Sequence, residues 1–145
     1  MFKHILLPTD GSPLSVECIR DGIRFAKSLG ARVTGISVMP LEPPLLYEAN
    51  LAAQVLEESA ESCRQLAERH LAVVRDMAEK AGVECDFVYE RADSPYDSII
   101  RTAHHKACDL IMMASHGRKG IKGLLLGSET QKVLTHSKIP VLVFR

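Results

Sequence analysis

The chain has 145 residues, enough for one domain with a substantial core. Hydrophobic residues make up 46% of it and charged residues 25%, which is typical of a globular protein rather than a disordered or membrane-spanning one. The formal net charge is zero, so the protein as a whole exerts no broad attraction on nucleic acid or anionic lipid. We therefore expect no nucleic-acid or membrane partner, and any anion site must be local.

The sequence contains neither a membrane segment nor a metal-binding motif. No apolar run approaches the ~20 residues that a membrane span requires, and the apolar part of residues 1–8 is too short for a signal peptide. The four cysteines stand singly within apolar patterns, without the paired spacing of a metal site: Cys18, Cys63, Cys85 and Cys108. We expect buried, reduced thiols in a cytoplasmic protein.

The first third of the chain predicts a strand, a helix and a second strand. Ile5, Leu6 and Leu7 form a short continuous apolar run, which is typical of a strand covered on both faces. Ser12 has the side chain of a helix N-cap, with a proline after it, and Gly30 is the expected C-terminal stop. The next apolar run, residues 33–39, predicts the second strand.

The middle of the chain predicts a long helix and an edge strand. Residues 40–50 are rich in proline and predict a loop of undetermined shape. An apolar stripe at helical spacing then runs from Leu51 to Gly82. Through residues 83–90 apolar and acidic side chains alternate, which indicates a strand with one wetter side.

The last third restarts with Ser94 and Pro95, which predict the start of a helix. Residues 110–113 are again continuously apolar, and a helix over Ser128–His136 leads into a final strand, Val141–Phe144. The order βαβαβαβαβ predicts a single α/β domain with a mostly parallel sheet and helices on both faces.

Two polar turns follow strands of this predicted sheet, at residues 8–12 and 115–127. In open α/β sheets, ligands bind beyond the carboxyl ends of the strands, where the strand order reverses. If the first strand is central and the fourth lies beside it, both turns face one crevice. The sequence thus predicts a candidate pocket formed by distant segments.

The second turn has the chemistry of an anion cradle. Its glycines allow close backbone approach and positive φ, and Gly127 and Ser128 place free N–H groups at a helix start. Asp10 of the first turn offers a carboxylate to sugar hydroxyls, so the pair suits a ribose with a polyphosphate. Basic side chains add positive charge: Arg118, Lys119 and Lys122.

On composition alone, a structural interpretation of this turn remains open. The glycines can serve a tight crossover, Ser128 can serve only as a helix cap, and the basic side chains can form a solvated rim. Lys119 is followed by Gly120, so the turn does not match the P-loop pattern GxxxxGK[ST].

The two ends of the chain resemble the universal stress protein family, small α/β proteins of which many bind ATP. The similarity lies in HILLPTDGS at the start and MASHGRKGIKGLLLGSETQKVLTHSKIPVLVF at the end. The nucleotide-binding branch has the signature G-x2-G-x9-G-[ST]; its second glycine falls on Gly117 and its closing pair on Gly127 and Ser128. Its first glycine position is Ala114, a departure that adds one methyl group. We expect this alanine to fit, because it ends an apolar strand and extended backbone accepts any residue.

The resemblance implies a Rossmann-like fold of the adenine nucleotide alpha hydrolase type, with strand order 3-2-1-4-5. It also implies an adenine nucleotide ligand, ATP with or without Mg²⁺. The residues carried over are Pro8, Thr9 and Asp10 at base and ribose, Val38 against adenine, Met113 and Ala114 beside the ribose, His116 and Gly117 near the phosphates, and the backbone amides of Gly127, Ser128 and Glu129 on them.

The resemblance further implies a homodimer formed through the edge strand Val141–Phe144. We expect a binding protein that acts in stress response rather than an enzyme. The sequence shows no Ser/His/Asp catalytic set, and no second carboxylate stands beside Asp10 to bind a metal. The alternatives are a family member that binds no nucleotide and works through protein contacts, which Ala114 favours, and a nucleotide-transferring enzyme.

Overall fold

The computed structural model describes residues 1–41, 53–117 and 126–145. In chain order its strands and helices are β1 (His4–Pro8), α1 (Pro13–Leu29), β2 (Arg32–Met39), α2 (Ala53–Ala81), β3 (Cys85–Arg91), α3 (Pro95–His105), β4 (Leu110–Ala114), α4 (Ser128–His136) and β5 (Val141–Phe144). This alternation confirms the predicted βαβ architecture. The predicted helix start at Leu51 and most of the loop at residues 40–50 lie outside the described residues.

The described strands form one parallel sheet in the order β3-β2-β1-β4-β5. The central strand β1 pairs with β2 up to the rung Pro8↔Ile36, and with β4 through Ile5↔Leu110 and Leu6↔Ile111. The expected strand order is confirmed, and so is the expected edge position of β3. Strands β1 to β3 build one half of the sheet and β4 and β5 the other, so the strand order reverses between the neighbours β1 and β4, and the switch point lies at their carboxyl ends.

Both faces of the central strand are covered by apolar side chains. Ile5 and Leu7 pack on one side with Ile19 of α1, whereas Leu6 packs on the other with Ile99 of α3. Side chains alternate between the faces of a strand, so this three-residue run contributes to both core layers. The side chains of Ile5, Leu6 and Leu7 have no exposed surface, as the continuous apolar run predicts.

Helix α1 begins and ends as its sequence predicts. The Ser12 hydroxyl accepts a hydrogen bond from Ser15 N at 3.3 Å, and Pro13 occupies the first helical position, where no N–H is required. Gly30 ends the helix in the left-handed conformation, with φ of 63°. The Ser12 cap at the other end of the helix contributes to the shape of the first polar turn, which follows β1.

The cysteines only partly match the expectation of burial. Cys18 and Cys108 are buried, but Cys63 and Cys85 are partly exposed, and all are free thiols. Burial raises the pKa of Cys18 to about 12, and that of Cys108 to about 11, so these thiols stay protonated and unreactive. Within the described ranges, no helix combines the length and apolar character that crossing a membrane demands.

A buried histidine lies at the amino end of the central strand. The His4 side chain is 4% exposed, and its Nε2 lies 2.7 Å from Oγ1 of Thr34. Burial lowers the pKa of His4, and the positive charge of Arg32 lowers it further, against weaker raising effects that include Asp109 and Asp86. His4 therefore resists protonation in the folded state.

This depressed pKa predicts that acid weakens the fold. The contribution of His4 to the free energy of unfolding is fully present above the unfolded-state pKa of about 6.5. As the pH falls below that value, the free energy of unfolding decreases by up to about 1.4 kcal/mol per pH unit, because only the unfolded chain takes up the proton. Urea unfolding between pH 8 and pH 5 measures this slope. The slope should be shallower in His4→Gln, whose amide still reaches Thr34; equal slopes in both proteins would contradict the assignment.

Candidate functional site

A cavity of about 110 Å³ opens at the carboxyl ends of β1, β2 and β4. It therefore occupies the switch point of the sheet, where ligands bind in open α/β folds. Its described lining consists of Pro8, Thr9, Asp10, Ser15, Ile36, Val38, Pro95, Ile99, Met113, Ala114, His116, Gly117 and Thr130.

The cavity brings together most of the residues singled out in the sequence. Those from the first turn, from β2 and from the end of β4 line one space: Pro8, Thr9, Asp10, Val38, Met113, Ala114, His116 and Gly117. Gly127, Ser128 and Glu129 begin α4 and do not belong to the lining. The basic side chains Arg118, Lys119 and Lys122 lie outside the described residues.

Hydroxyl and carboxylate hydrogen bonds hold the turn between β1 and α1. Thr9 Oγ1 accepts from Gly11 N at 3.2 Å and from Ser15 Oγ at 2.9 Å. Asp10 Oδ1 accepts from Ser12 N at 3.0 Å, a local turn bond that aspartate makes readily. The carboxylate of Asp10 thus has a defined orientation at the mouth of the cavity.

Gly11 in this turn is required on two counts. Its φ of +74° lies in the left-handed region that favours glycine. A methyl group there would also overlap the imidazole of His70, a buried residue of α2. His70 therefore packs against the turn that carries Asp10. No sequence pattern singled it out, because a lone histidine in an apolar helical stripe is indistinguishable from any other core position.

Gly117 and Gly127, the two signature glycines of the second turn, allow neighbouring groups to approach closely. Neither Gly117 nor Gly127 has a positive φ, so of the two uses expected for the glycines of this turn these two show only close approach; Gly120 and Gly123 lie outside the described residues. A methyl group on Gly117 would overlap Oδ2 of Asp10, and one on Gly127 would lie 3.2 Å from Cα of His116. Gly117 therefore lets the end of β4 approach the Asp10 carboxylate from across the cavity.

The first amide at the start of α4 differs from the expected phosphate cradle. Gly127 N donates to Ser115 O at 2.6 Å, so this N–H is already paired within the chain. The amides of Ser128 and Glu129 stand in the first helical turn, and no residue in the described part of the chain accepts from them. They lie at the positive end of the α4 dipole, where anions are stabilised.

Ala114 adopts ordinary strand backbone. It is the last residue of β4 and pairs with Phe144 of β5. Its carbonyl accepts from Oγ1 of Thr130 at 2.9 Å, which joins β4 to α4. The expectation that alanine fits this strand end is confirmed, so its methyl group affects only the space inside the cavity.

The backbone N–H and C=O of Val38 lie on the side of β2 that borders the cavity. Ile36 O accepts from Thr9 N on the β1 side, and Met39 O accepts from Ala92 N on the β3 side, both at 2.9 Å. Because backbone groups alternate along a strand, the N–H and C=O of Val38 point to the β1 side. Strand β1 has already ended at Pro8 there, so both groups lie at the rim of the cavity.

The remaining lining residues were not predicted from the sequence. They are Ser15, Ile36, Pro95, Ile99 and Thr130. Ile36 had a usable signal, since it stands two residues before Val38 on the same face of the strand. The α3 residues had none, because the position of that helix over the cavity is a property of the tertiary fold.

The sequence model of the universal stress protein family matches residues 1–145. The universal stress protein MJ0531 of Methanocaldococcus jannaschii is 32% identical over 150 residues, which cover 100% of this chain and 83% of the relative.

Solved structures show the same architecture. That of MJ0577, from the same organism, superimposes with a TM-score of 0.85 at 26% identity, covering 99% of this chain and 96% of that chain. A universal stress protein in complex with cAMP superimposes with a TM-score of 0.73 at 24% identity, covering 99% and 97%. With the family match spanning its whole length, this chain belongs to the universal stress protein family.

Proposed function

We propose that this protein binds an adenine nucleotide, ATP with or without Mg²⁺, in the cavity at the switch point. In this proposal it acts in the cytoplasm, as a stress-response protein whose contacts depend on the bound nucleotide. The observation that carries the proposal is the meeting of the Asp10 turn with the end of β4 around one cavity. The related protein that forms a complex with cAMP supports an adenine ligand.

The cavity suits a flat heteroaromatic base. Its volume of about 110 Å³ is well below that of pockets that enclose whole drug-sized ligands. Ile36, Ile99 and Met113 give it apolar walls. The base would enter this space, and the sugar and phosphates would extend toward Asp10 and α4.

The backbone groups of Val38 at the rim of the cavity favour adenine over guanine. Val38 offers an N–H donor and a C=O acceptor side by side, which complement the N1 acceptor and the N6 amine of adenine. Guanine presents a donor at N1 and an acceptor at O6, so in the orientation that adenine takes it would oppose both groups. An unmatched polar pair in a buried site is costly, and this cost is the basis of selection.

The polar end of the site supports a sugar phosphate. The Asp10 carboxylate, oriented by Ser12 N, can accept hydrogen bonds from ribose hydroxyls. The amides of Ser128 and Glu129 can donate to a phosphate with the α4 dipole behind them. Within the described lining, Asp10 is the one carboxylate, so we propose a binding protein rather than an enzyme.

A family member that binds no nucleotide is the second candidate. Two observations favour it: the Ala114 methyl group in the cavity wall and the pairing of Gly127 N with Ser115 O. Such a protein would act through protein contacts alone.

Nucleotide released from the heat-denatured protein, identified by chromatography, tests the proposal directly. We expect adenine nucleotide in the purified protein, and calorimetry with added Mg-ATP and Mg-GTP should show ATP binding about tenfold or more tightly than GTP. A protein that is empty and also ignores Mg-ATP would decide for the second candidate. Equal affinities would refute the role given to Val38.

Two opposite methyl changes at the signature positions give a matched test. Gly117→Ala should weaken ATP binding by about tenfold or more, because the added methyl displaces the Asp10 carboxylate. Ala114→Gly should change the affinity by less than about threefold, because the strand backbone already accepts alanine. Calorimetric titration of both variants measures the effects, and a large gain in Ala114→Gly would contradict the tolerance inferred for this position.

We further propose that β5 joins two copies of the chain at the sheet edge. It lies at the edge of the sheet, and Leu142 on it is 37% exposed. Leu142→Glu should convert a dimer into a monomer in light scattering at micromolar concentration, because the new charge would be buried without a partner. Leu134→Glu, at a leucine that is 41% exposed on α4, is the matched control and should leave the dimer intact. A monomeric wild-type protein would refute this proposal.

A further inference from the structure

The side chain of Glu129 connects two helices. It stands in the first turn of α4, where a negative charge is favourable in any helix. Its Oε2, however, accepts from Tyr96 N of α3 at 2.9 Å, and its Oε1 lies 3.1 Å from Nζ of Lys132. The carboxylate therefore does more than complement its own helix dipole.

The N-terminus of α3 takes its cap from this carboxylate. Pro95 has no N–H, and the Ser94 side chain makes no capping bond. The Ser94 carbonyl accepts from Asp97 N at 3.1 Å and from Ser98 N at 3.3 Å. Tyr96 N is thus the amide that Glu129 satisfies, in the manner of an N-cap residue supplied by another helix.

Both helices joined in this way line the cavity. Pro95 and Ile99 come from α3, on the apolar side proposed for the base, and Thr130 comes from α4. Thr130 is itself tied to β4 through the Ala114 carbonyl. The Glu129 carboxylate therefore fixes the α3 wall relative to the helix whose amides are proposed to hold phosphate.

The same residue places negative charge in the helical turn whose amides are proposed to hold that phosphate. Its own backbone N–H is one of the two α4 amides proposed to donate to the ligand. Lys132 neutralises the charge only in part, because both partners of the pair are substantially exposed and water screens it. A ligand with more phosphate charge therefore meets more repulsion from Glu129.

We propose that Glu129 is a positioning and specificity-determining residue for the adenine ligand. It holds α3 over the base, and it penalises each additional phosphate charge, so that the preference for ATP over adenosine is smaller than the α4 amides alone would give. This inference rests on the proposed adenine-nucleotide function.

Two substitutions separate the effect of the Glu129–Tyr96 hydrogen bond, called the tether, from the effect of the Glu129 charge. Glu129→Gln keeps an oxygen that can accept from Tyr96 N and removes the charge, whereas Glu129→Ala removes both. Calorimetry with adenosine, AMP and ATP at low salt should show ATP binding about threefold to tenfold more tightly to Glu129→Gln, with adenosine unchanged. The gain should shrink at high salt, because screening weakens the charge effect. Glu129→Ala should bind adenosine several-fold more weakly than Glu129→Gln does.

A measurement without ligand checks the tether independently. Hydrogen exchange at the Tyr96 amide should be faster by about tenfold or more in Glu129→Ala than in wild type, and little changed in Glu129→Gln. Glu68→Gln on α2 is the matched control, since it removes a carboxylate that pairs with Arg64 and does not belong to the cavity lining. This control should alter neither the affinities nor the exchange of Tyr96.

The outcomes that overturn the inference are distinct from those that overturn the proposed function. An unchanged ratio of ATP to adenosine affinity in Glu129→Gln refutes the charge effect. Equal adenosine affinities in the Gln and Ala variants, with equal Tyr96 exchange, refute the tether. A wild-type protein that binds none of the three ligands refutes the adenine function, and with it the specificity role of Glu129.

Discussion

The burial of strand β1 on both faces is the constraint from which the site follows. Because Ile5, Leu6 and Leu7 are shielded completely, β1 must lie in the centre of the sheet, with strands on both edges and helices above and below. Its neighbours are β2 and β4, so the turn after β1 and the segment after β4 end at the same crevice. Hydrophobic burial thereby places Asp10 opposite Gly117, residues more than a hundred positions apart in the sequence.

Close approach, rather than unusual backbone conformation, explains Gly117 and Gly127. Gly117 has no side chain because the Asp10 carboxylate occupies the space a methyl group would need, and Gly127 packs on the backbone at His116. At the first turn the reasons combine, since Gly11 has a positive φ and also contacts His70. A glycine-rich motif can therefore encode close packing between segments as well as flexibility for a ligand.

The cavity walls depend on contacts between elements that are distant in the chain. Thr130 reaches back to the Ala114 carbonyl, and Glu129 reaches across to the N-terminus of α3. His70 of α2 packs under the turn that holds Asp10. Thr130 thus joins β4 to α4, Glu129 joins α4 to α3, and His70 joins the Asp10 turn to α2. The shape of the site is therefore a property of the assembled layers rather than of any one motif.

The sequence by itself determined the type and order of the elements and both ends of α1, and through the terminal motifs the family and the turns that meet. These features can be predicted because buried side chains recur at a fixed spacing in each strand and helix, and because serine, proline and glycine act on the backbone locally. Only the tertiary structure decided that Gly127 N is paired with Ser115, that Glu129 caps α3, and that Pro95 and Ile99 close the cavity. Those facts depend on distances between segments far apart in the chain, and local patterns carry no information about such distances.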